Sequence, residues 1–104
     1  MARTIKMKIK KLEDGYQVLV LVKHPMETGF RKDQITGKLV AAHYIETMTF
    51  SLNGKPVAVV DLSAGVSMNP LLGIGLANAS PGDKVSIFWS DNQGESGSVE
   101  SAVK

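Results

Sequence analysis

The sequence predicts an all-β protein, an immunoglobulin-like antiparallel β-sandwich of about seven strands. Apolar residues recur with a period of two in one short run after another, as on strands that bury one face. Turn residues separate the runs, and no window of ten or more residues shows a capped 3.6-residue period. Seven short strands in about 100 residues are typical of this sandwich. A five-stranded OB barrel is the alternative, but most aromatic residues fall at core-facing positions, which leaves few for its stacking surface.

The first three strands are predicted from alternating residues. Residues 3–10 alternate apolar side chains with lysines. Residues 16–24 carry valines on one face and Leu19 and Leu21 on the other, which predicts a strand buried on both sides. Residues 43–52 place apolar residues on one face and threonine and serine opposite.

The remaining strands are shorter. They are predicted at residues 56–62, 72–77 and 84–90, with a weaker last run around Val99 and Val103. Asn53-Gly54 predicts a type I′ hairpin, because both central residues of that turn need a positive φ. The other turn signals are Asp14-Gly15, Ser80-Pro81-Gly82-Asp83 and Asp91-Asn92-Gln93-Gly94. The expected core contains Val18, Val20, Phe50, Ile87 and Trp89.

Composition sets the broad class. The 104 residues predict one domain over residues 1–104, and 43% hydrophobic residues are enough to bury a core without disulfides or metal. Cysteine is absent, which excludes thiol nucleophiles, iron–sulfur clusters and disulfide frameworks. No run approaches the length of a membrane span, and Met1 to Lys6 lack the apolar stretch of a signal peptide. Residues alone therefore predict a cytoplasmic protein.

Clustered lysines near the N-terminus raise the question of nucleic-acid binding. The net charge is +2, and Lys6, Lys8 and Lys10 alternate with apolar residues. That alternation is typical of the solvent-exposed face of an edge strand, where lysines also prevent aggregation. It favours this interpretation over a basic patch that neutralises nucleic-acid phosphates. We expect no nucleic-acid partner and no membrane contact.

A long irregular segment follows the second strand. It begins with His24-Pro25-Met26-Glu27-Thr28-Gly29-Phe30-Arg31-Lys32-Asp33 and continues to about Ala42. Loops longer than about 12–15 residues in compact domains are usually functional or disordered, and this one is dense in charge. A second unusual segment, residues 65–72, contains the turn signal Asn69-Pro70. A binding role and a simple structural role remain open for both segments.

Catalysis is not expected. His24 and His43 are the only imidazoles, no serine lies in a Gly-x-Ser-x-Gly elbow, and most acidic residues fall in turns. We therefore predict no catalytic residues, no cofactor and no resident metal. One alternative is a soft copper site built from His24, Met26, His43 and Met68, since imidazole and thioether ligands suit Cu(I), although no spacing specifies it.

Several motifs, taken in order, resemble the SoxZ family of microbial thiosulfate oxidation, and the resemblance runs nearly end to end. Beside the segment from His24 to Asp33, the motifs are Ala42-His43-Tyr44-Ile45, Phe50-Ser51-Leu52-Asn53-Gly54-Lys55-Pro56-Val57, Ser67-Met68-Asn69-Pro70 and Phe88-Trp89-Ser90-Asp91-Asn92-Gln93-Gly94. The absence of cysteine fits, because SoxZ carries no substrate thiol. One departure from the family pattern is the short stretch from Lys11 to Gly15.

The resemblance implies a non-catalytic subunit that pairs with SoxY, whose cysteine holds sulfur intermediates on a mobile arm. It also implies transient contacts with other Sox enzymes and export to the periplasm together with SoxY, which replaces the cytoplasmic expectation. The expected partner-binding residues are His24, Pro25, Met26, Glu27, Gly29, Phe30, Arg31, Lys32, Asp33, Asn69 and Pro70. The alternative is a stand-alone periplasmic metal- or ligand-binding module.

Overall fold

The computed structural model describes residues 4–63, 65–66 and 68–104 and confirms the predicted all-β sandwich. Its seven strands form two antiparallel sheets, one of three strands in the order β1-β2-β5 and one of four in the order β4-β3-β6-β7. The strands are β1 (Ile5–Leu12), β2 (Gly15–Val22), β3 (Ile45–Leu52), β4 (Lys55–Asp61), β5 (Leu71–Leu76), β6 (Lys84–Asp91) and β7 (Ser96–Ala102). Met1 to Arg3 of the predicted N-terminus and Ser67 of the second segment lie outside the described residues.

The core lies between the two sheets, where the predicted alternation places it. All five predicted core residues, Val18, Val20, Phe50, Ile87 and Trp89, have no exposed surface. Burial of each such side chain contributes about 1.5–3 kcal/mol. Ile45 joins the core although its position differs in parity from Met48 and Phe50, because a β-bulge between Ile45 and Thr47 shifts the register.

The prediction that β2 is buried on both sides is wrong. Its valines face the core, whereas Leu19 and Leu21 on the outer face are only half-buried. No described element lies over that face, so neighbouring side chains of β1 and β5 cover the leucines only in part.

The Asn53-Gly54 hairpin has the backbone that its sequence predicts. Asn53 has φ 51° and Gly54 has φ 84°, so both central residues adopt the positive φ that a type I′ turn requires. No helix in the described part of the chain is long and apolar enough to cross a membrane.

Strand pairing gathers three connections at one end of the sandwich. Leu21 of β2 pairs with Leu71 of β5, Ile45 of β3 pairs with Asp91 of β6, and Thr47 pairs with Asp61 of β4. The segment between β2 and β3, the connection between β4 and β5 and the turn after β6 therefore meet there. We call this the loop end of the molecule, and the segment of residues 23–44 the recognition loop.

A histidine–aspartate clamp at the base of the recognition loop

The two histidines stand at opposite ends of the recognition loop, and both reach the same carboxylate. His24 Nε2 lies 3.0 Å and His43 Nε2 lies 2.7 Å from Oδ2 of Asp91, the last residue of β6. His24 is 1% exposed and Asp91 is 4% exposed, so water does not compete for the first contact. We call His24, His43 and Asp91 the clamp, because one side chain of the sheet holds both ends of the loop.

The second carboxylate oxygen of Asp91 fixes the turn that follows β6. Oδ1 accepts hydrogen bonds from the backbone N–H of Gln93, at 3.0 Å, and of Glu95, at 2.8 Å. Burial opposes ionisation of Asp91, but the hydrogen bonds from His24, Glu95, His43 and Gln93 together hold the pKa of this carboxyl below its usual range. Asp91 is therefore a carboxylate at neutral pH.

The tautomer of His24 follows from its neighbours. The backbone N–H of Met26 donates to His24 Nδ1 at 3.1 Å, so Nδ1 carries a lone pair and Nε2 carries the proton donated to Asp91. The ring also makes edge-to-face contacts with His43, at 4.6 Å between centroids, and with Trp89, at 5.6 Å. Both ring nitrogens and both flanks of His24 are thus engaged, and the imidazole has one orientation.

The same place gathers possible metal ligands, but they differ from the predicted copper set. Ligand atoms of His24, His43, Asp91 and Glu95 lie within 4.8 Å of one another. The two predicted methionines have other surroundings. The sulfur of Met26 accepts the backbone N–H of Ile45 at 3.3 Å, and Met68 is largely exposed.

The tip of the recognition loop folds back on itself. Asp33 Oδ1 accepts the backbone N–H of Ile35 and of Thr36, and Val40 N–H donates to the carbonyl of Arg31. These backbone hydrogen bonds hold the pKa of Asp33 below its usual range. The tip is therefore an ordered turn with Asp33 as its cap.

Nearer the base of the loop, Arg31 and Glu27 form an ion pair. The guanidinium donates to both carboxylate oxygens of Glu27, with Nε at 2.9 Å from Oε1. Hydrogen bonding to Arg31 is the largest cause that lowers the pKa of Glu27. Glu27 also exchanges backbone hydrogen bonds with His43, so the pair stands directly above the clamp.

The Asn69-Pro70 turn supports the recognition loop from the side. The side-chain oxygen of Asn69 accepts the backbone N–H of His24 at 2.9 Å, and the N–H of Asn69 donates to the carbonyl of His24 at 2.8 Å. Asn69 has φ 52°, and Pro70 accepts the N–H of Val22. The second unusual segment of the sequence therefore holds the first residue of the clamp.

The predicted partner-binding residues divide by exposure. Phe30 is 85% exposed, and Arg31 and Lys32 are also exposed. Pro25, Glu27, Gly29, Asp33 and Asn69 are half-buried, whereas His24, Met26 and Pro70 are buried. The three buried residues can support the loop but cannot contact a partner directly, so only the exposed and half-buried residues are available for such contact.

Four further residues of this end were not predicted. Ile35 is 95% exposed and Leu39 is 66% exposed, so the recognition loop exposes two large apolar side chains besides Phe30. Asp91 and Glu95 complete the cluster around the histidines. The sequence showed Asp91 only as a turn residue, and nothing in its spacing pointed to His24, 67 positions earlier.

A family model described as Sulphur oxidation protein SoxZ matches residues 5–102, which is nearly the whole chain. No curated protein matches it.

Proposed function

The chain belongs to the SoxZ family of the Sox sulfur oxidation system, and we propose that it is the non-catalytic subunit that pairs with the sulfur carrier SoxY. In this proposal SoxY carries sulfur intermediates on its cysteine. The present chain supports that arm and meets the visiting Sox enzymes. Membership in the family confirms the resemblance seen in the motifs and implies a partner from the Sox complex.

The observation that carries the proposal is the apolar surface at the loop end. Phe30, Ile35 and Leu39 of the recognition loop are largely exposed, as is Met68 of the neighbouring connection. Several large apolar side chains exposed at the same end of a protein are the kind of surface that interaction sites use. The charged pair Arg31–Glu27 belongs to the same loop, as does Lys32, which has no ion-pair partner among the described residues, and these charges supply the polar rim of a protein interface.

Rigidity of the base suits a carrier subunit. A mobile arm that bears a reactive thiolate needs a fixed platform, and the clamp and the Asn69 contacts fix both sides of the loop. The chain has no cysteine, so it offers no thiol that would compete for the sulfur intermediate.

Affinity for SoxY tests the proposed surface. Phe30→Ala and Arg31→Ala together are expected to weaken binding by about tenfold or more, equivalent to about 1.4 kcal/mol, because aromatic and arginine side chains commonly anchor interfaces. The matched control is Phe88→Ala, a half-exposed phenylalanine on the outer face of the four-stranded sheet. Loss of affinity in the control but not in the loop variant would move the interface to that sheet.

Absence of catalysis has its own test. The isolated chain is expected to show no turnover of thiosulfate and no thiosulfate-dependent mass shift, because it has no thiol to form an adduct. In reconstituted oxidation, removing the charges of Arg31, Lys32 and Asp33 is expected to slow transfer between carrier and clients, and less so at high salt. Lys32→Ala is the cleanest of these variants, since Arg31 is paired and Asp33 caps the turn. A mass shift on the chain alone would contradict the proposal.

We place the working protein in the periplasm, carried there with SoxY. Expressed alone, the chain is expected in the cytoplasmic fraction, and expressed with a signal-bearing SoxY it is expected in the periplasm. Periplasmic recovery without SoxY would rule out co-export.

A second candidate function, a metal-binding module, is favoured by the four ligand atoms at the clamp. Two imidazoles and two carboxylates suit Zn²⁺ better than Cu(I). Ligation through His24 Nε2 would move its proton to Nδ1, opposite the N–H of Met26. Titration with Zn²⁺ that shows one site per chain, lost in Glu95→Gln and accompanied by a shift of the Met26 amide resonance, would support the module. No stoichiometric binding would remove it.

A further inference from the structure

The outer face of the three-stranded sheet combines exposed lysines with leucines that the described chain covers only in part. We propose that this lysine–leucine face, made of Lys6, Lys8, Lys10, Leu19, Leu21 and Leu71, docks an acidic polypeptide segment that carries apolar side chains. The proposal goes beyond the pairing with SoxY and does not depend on it.

The strand register places the two kinds of side chain in rows. Lys6 pairs with Leu21, which pairs with Leu71, so one cation and two leucines cross the sheet side by side. In the next row Lys8 pairs with Leu19, which pairs with Gly73. The lysines thus form one border of an apolar strip.

Glycine at position 73 widens the apolar strip. A Cβ there would lie 2.8 Å from Cδ2 of Leu19, so the leucine side chain lies over the backbone of β5. Together with Lys6 and Lys8, the leucines line a shallow depression of about 200 Å³. Leu71 is 64% exposed at its edge.

This surface differs from the ordinary solvated face of an antiparallel sheet. Such a face alternates with polar residues, and lysines at its edge then serve solubility. Here the central strand carries leucines in two of the three lysine rows and Gln17, opposite Lys10, in the third. The part of the leucine surface that stays in water forgoes the gain of burial, about 25 cal/mol per Å² of apolar surface. The lysines therefore border a surface that is stabilised by a cover.

Charge decides the chemistry of that cover. Strands β1, β2 and β5 contain no aspartate or glutamate, and no ion pair among the described residues involves Lys6, Lys8 or Lys10. Lysines two positions apart on a strand lie about 6.8 Å from each other, which matches alternate residues of an extended partner chain. Carboxylates at that spacing would meet the lysines, and apolar side chains of the segment would meet the leucines.

Other occupants fit less well. A second copy docked through the same face would bring lysines near lysines. A single-stranded nucleic acid would gain contacts to the lysines, but the face has no aromatic side chain on which bases could stack.

The test uses the full chain and a fluorescein-labelled peptide in which glutamate and leucine alternate. We expect saturable binding that weakens as ionic strength rises, and no binding of a peptide with lysine in place of glutamate. Lys6→Glu with Lys8→Glu is expected to weaken binding by about tenfold or more, and Leu71→Ser to weaken it measurably. The matched control is Lys55→Glu on β4 of the other sheet, which is expected to bind as the unaltered chain does.

Four results would overturn the proposal. The first two are no binding of the acidic peptide and equally strong binding of the basic peptide. The third is a loss of peptide affinity in Lys55→Glu as large as that in the Lys6→Glu, Lys8→Glu variant. The fourth is that the chain, in sedimentation, binds phosphatidylserine vesicles or a second copy of itself in preference to the peptide. Because the altered residues are exposed, unchanged circular dichroism is expected for every variant and shows that a loss of binding is not a loss of fold.

Discussion

Replacing Asp91 by asparagine removes the charge of the clamp while keeping its size. If the amide oxygen stays on the N–H groups of Gln93 and Glu95, the new NH₂ group faces the Nε2–H donors of His24 and His43. His43 is partly exposed and can change its tautomer. His24 cannot do so, because its Nδ1 accepts the N–H of Met26.

The expected cost follows from this asymmetry. A hydrogen bond to a charged group contributes about 1.5–3 kcal/mol, and a buried donor left unpaired costs about 1–3 kcal/mol. At least the His24 contact is lost without rescue, so we expect Asp91→Asn to lower the free energy of unfolding by about 2.5–6 kcal/mol. In a domain of this size each kcal/mol lowers Tm by roughly 4–8 °C.

Urea unfolding followed by far-UV circular dichroism and by the fluorescence of Trp89, which contacts His24, measures the change. The matched control is Asp83→Asn, whose carboxylate accepts one backbone N–H in an exposed turn that asparagine can also cap. That control is expected to lie within about 0.5 kcal/mol of the unaltered chain. A value for Asp91→Asn equally close to the unaltered chain would refute the clamp.

Three further predictions concern the same core and clamp. Gly97→Ala is expected to lower the free energy of unfolding by about 1–3 kcal/mol, because its Cβ would lie 2.7 Å from Nε1 of the buried indole of Trp89. The control in the same unfolding assay is Gly75→Ala, whose Cβ meets nothing within 4 Å. Trp89→Ala is expected to lower the free energy of unfolding by about 3–5 kcal/mol. In the unaltered folded chain, a fluorescence emission spectrum typical of a fully water-exposed indole would contradict the burial of Trp89. The lowered pKa of Asp91 means that its contribution to stability is present above the unfolded pKa of about 3.9 and is lost as pH falls through the folded value. Asp91→Asn should therefore flatten the acid limb of the stability curve, and an unchanged limb would contradict this assignment.

The strands could be predicted from the sequence because their signal is local. Alternation with a period of two predicts every strand within a few residues. The burial of Trp89, predicted because its indole is the largest apolar group in the sequence, is confirmed. The burial of Ile45 could not be predicted in this way, because the β-bulge in β3 changes which face its side chain points to and the bulge has no signal in the apolar pattern.

The burial of β2 could not be predicted, for a different reason. Leu19 and Leu21 give the pattern of a strand covered on both sides, yet the cover is missing from the described chain. A sequence pattern records that a face is apolar but not whether the same chain supplies the layer that buries it.

The clamp depended on tertiary contacts that spacing does not encode. His24, His43 and Asp91 lie in three separate motifs of the sequence, and nothing in these motifs links them to one another. Their meeting depends on antiparallel pairing between β3 and β6, which brings Asp91 opposite Ile45. The sequence thus indicated the right segments and could not assign their shared role.

Pairing with SoxY is the central claim, and native mass spectrometry of the two subunits purified after co-expression tests it most directly. The account predicts a heterodimer with one copy of each chain, in which thiosulfate-derived mass appears only on the cysteine-bearing partner. The present chain recovered by itself, or carrying the sulfur adduct, would contradict it.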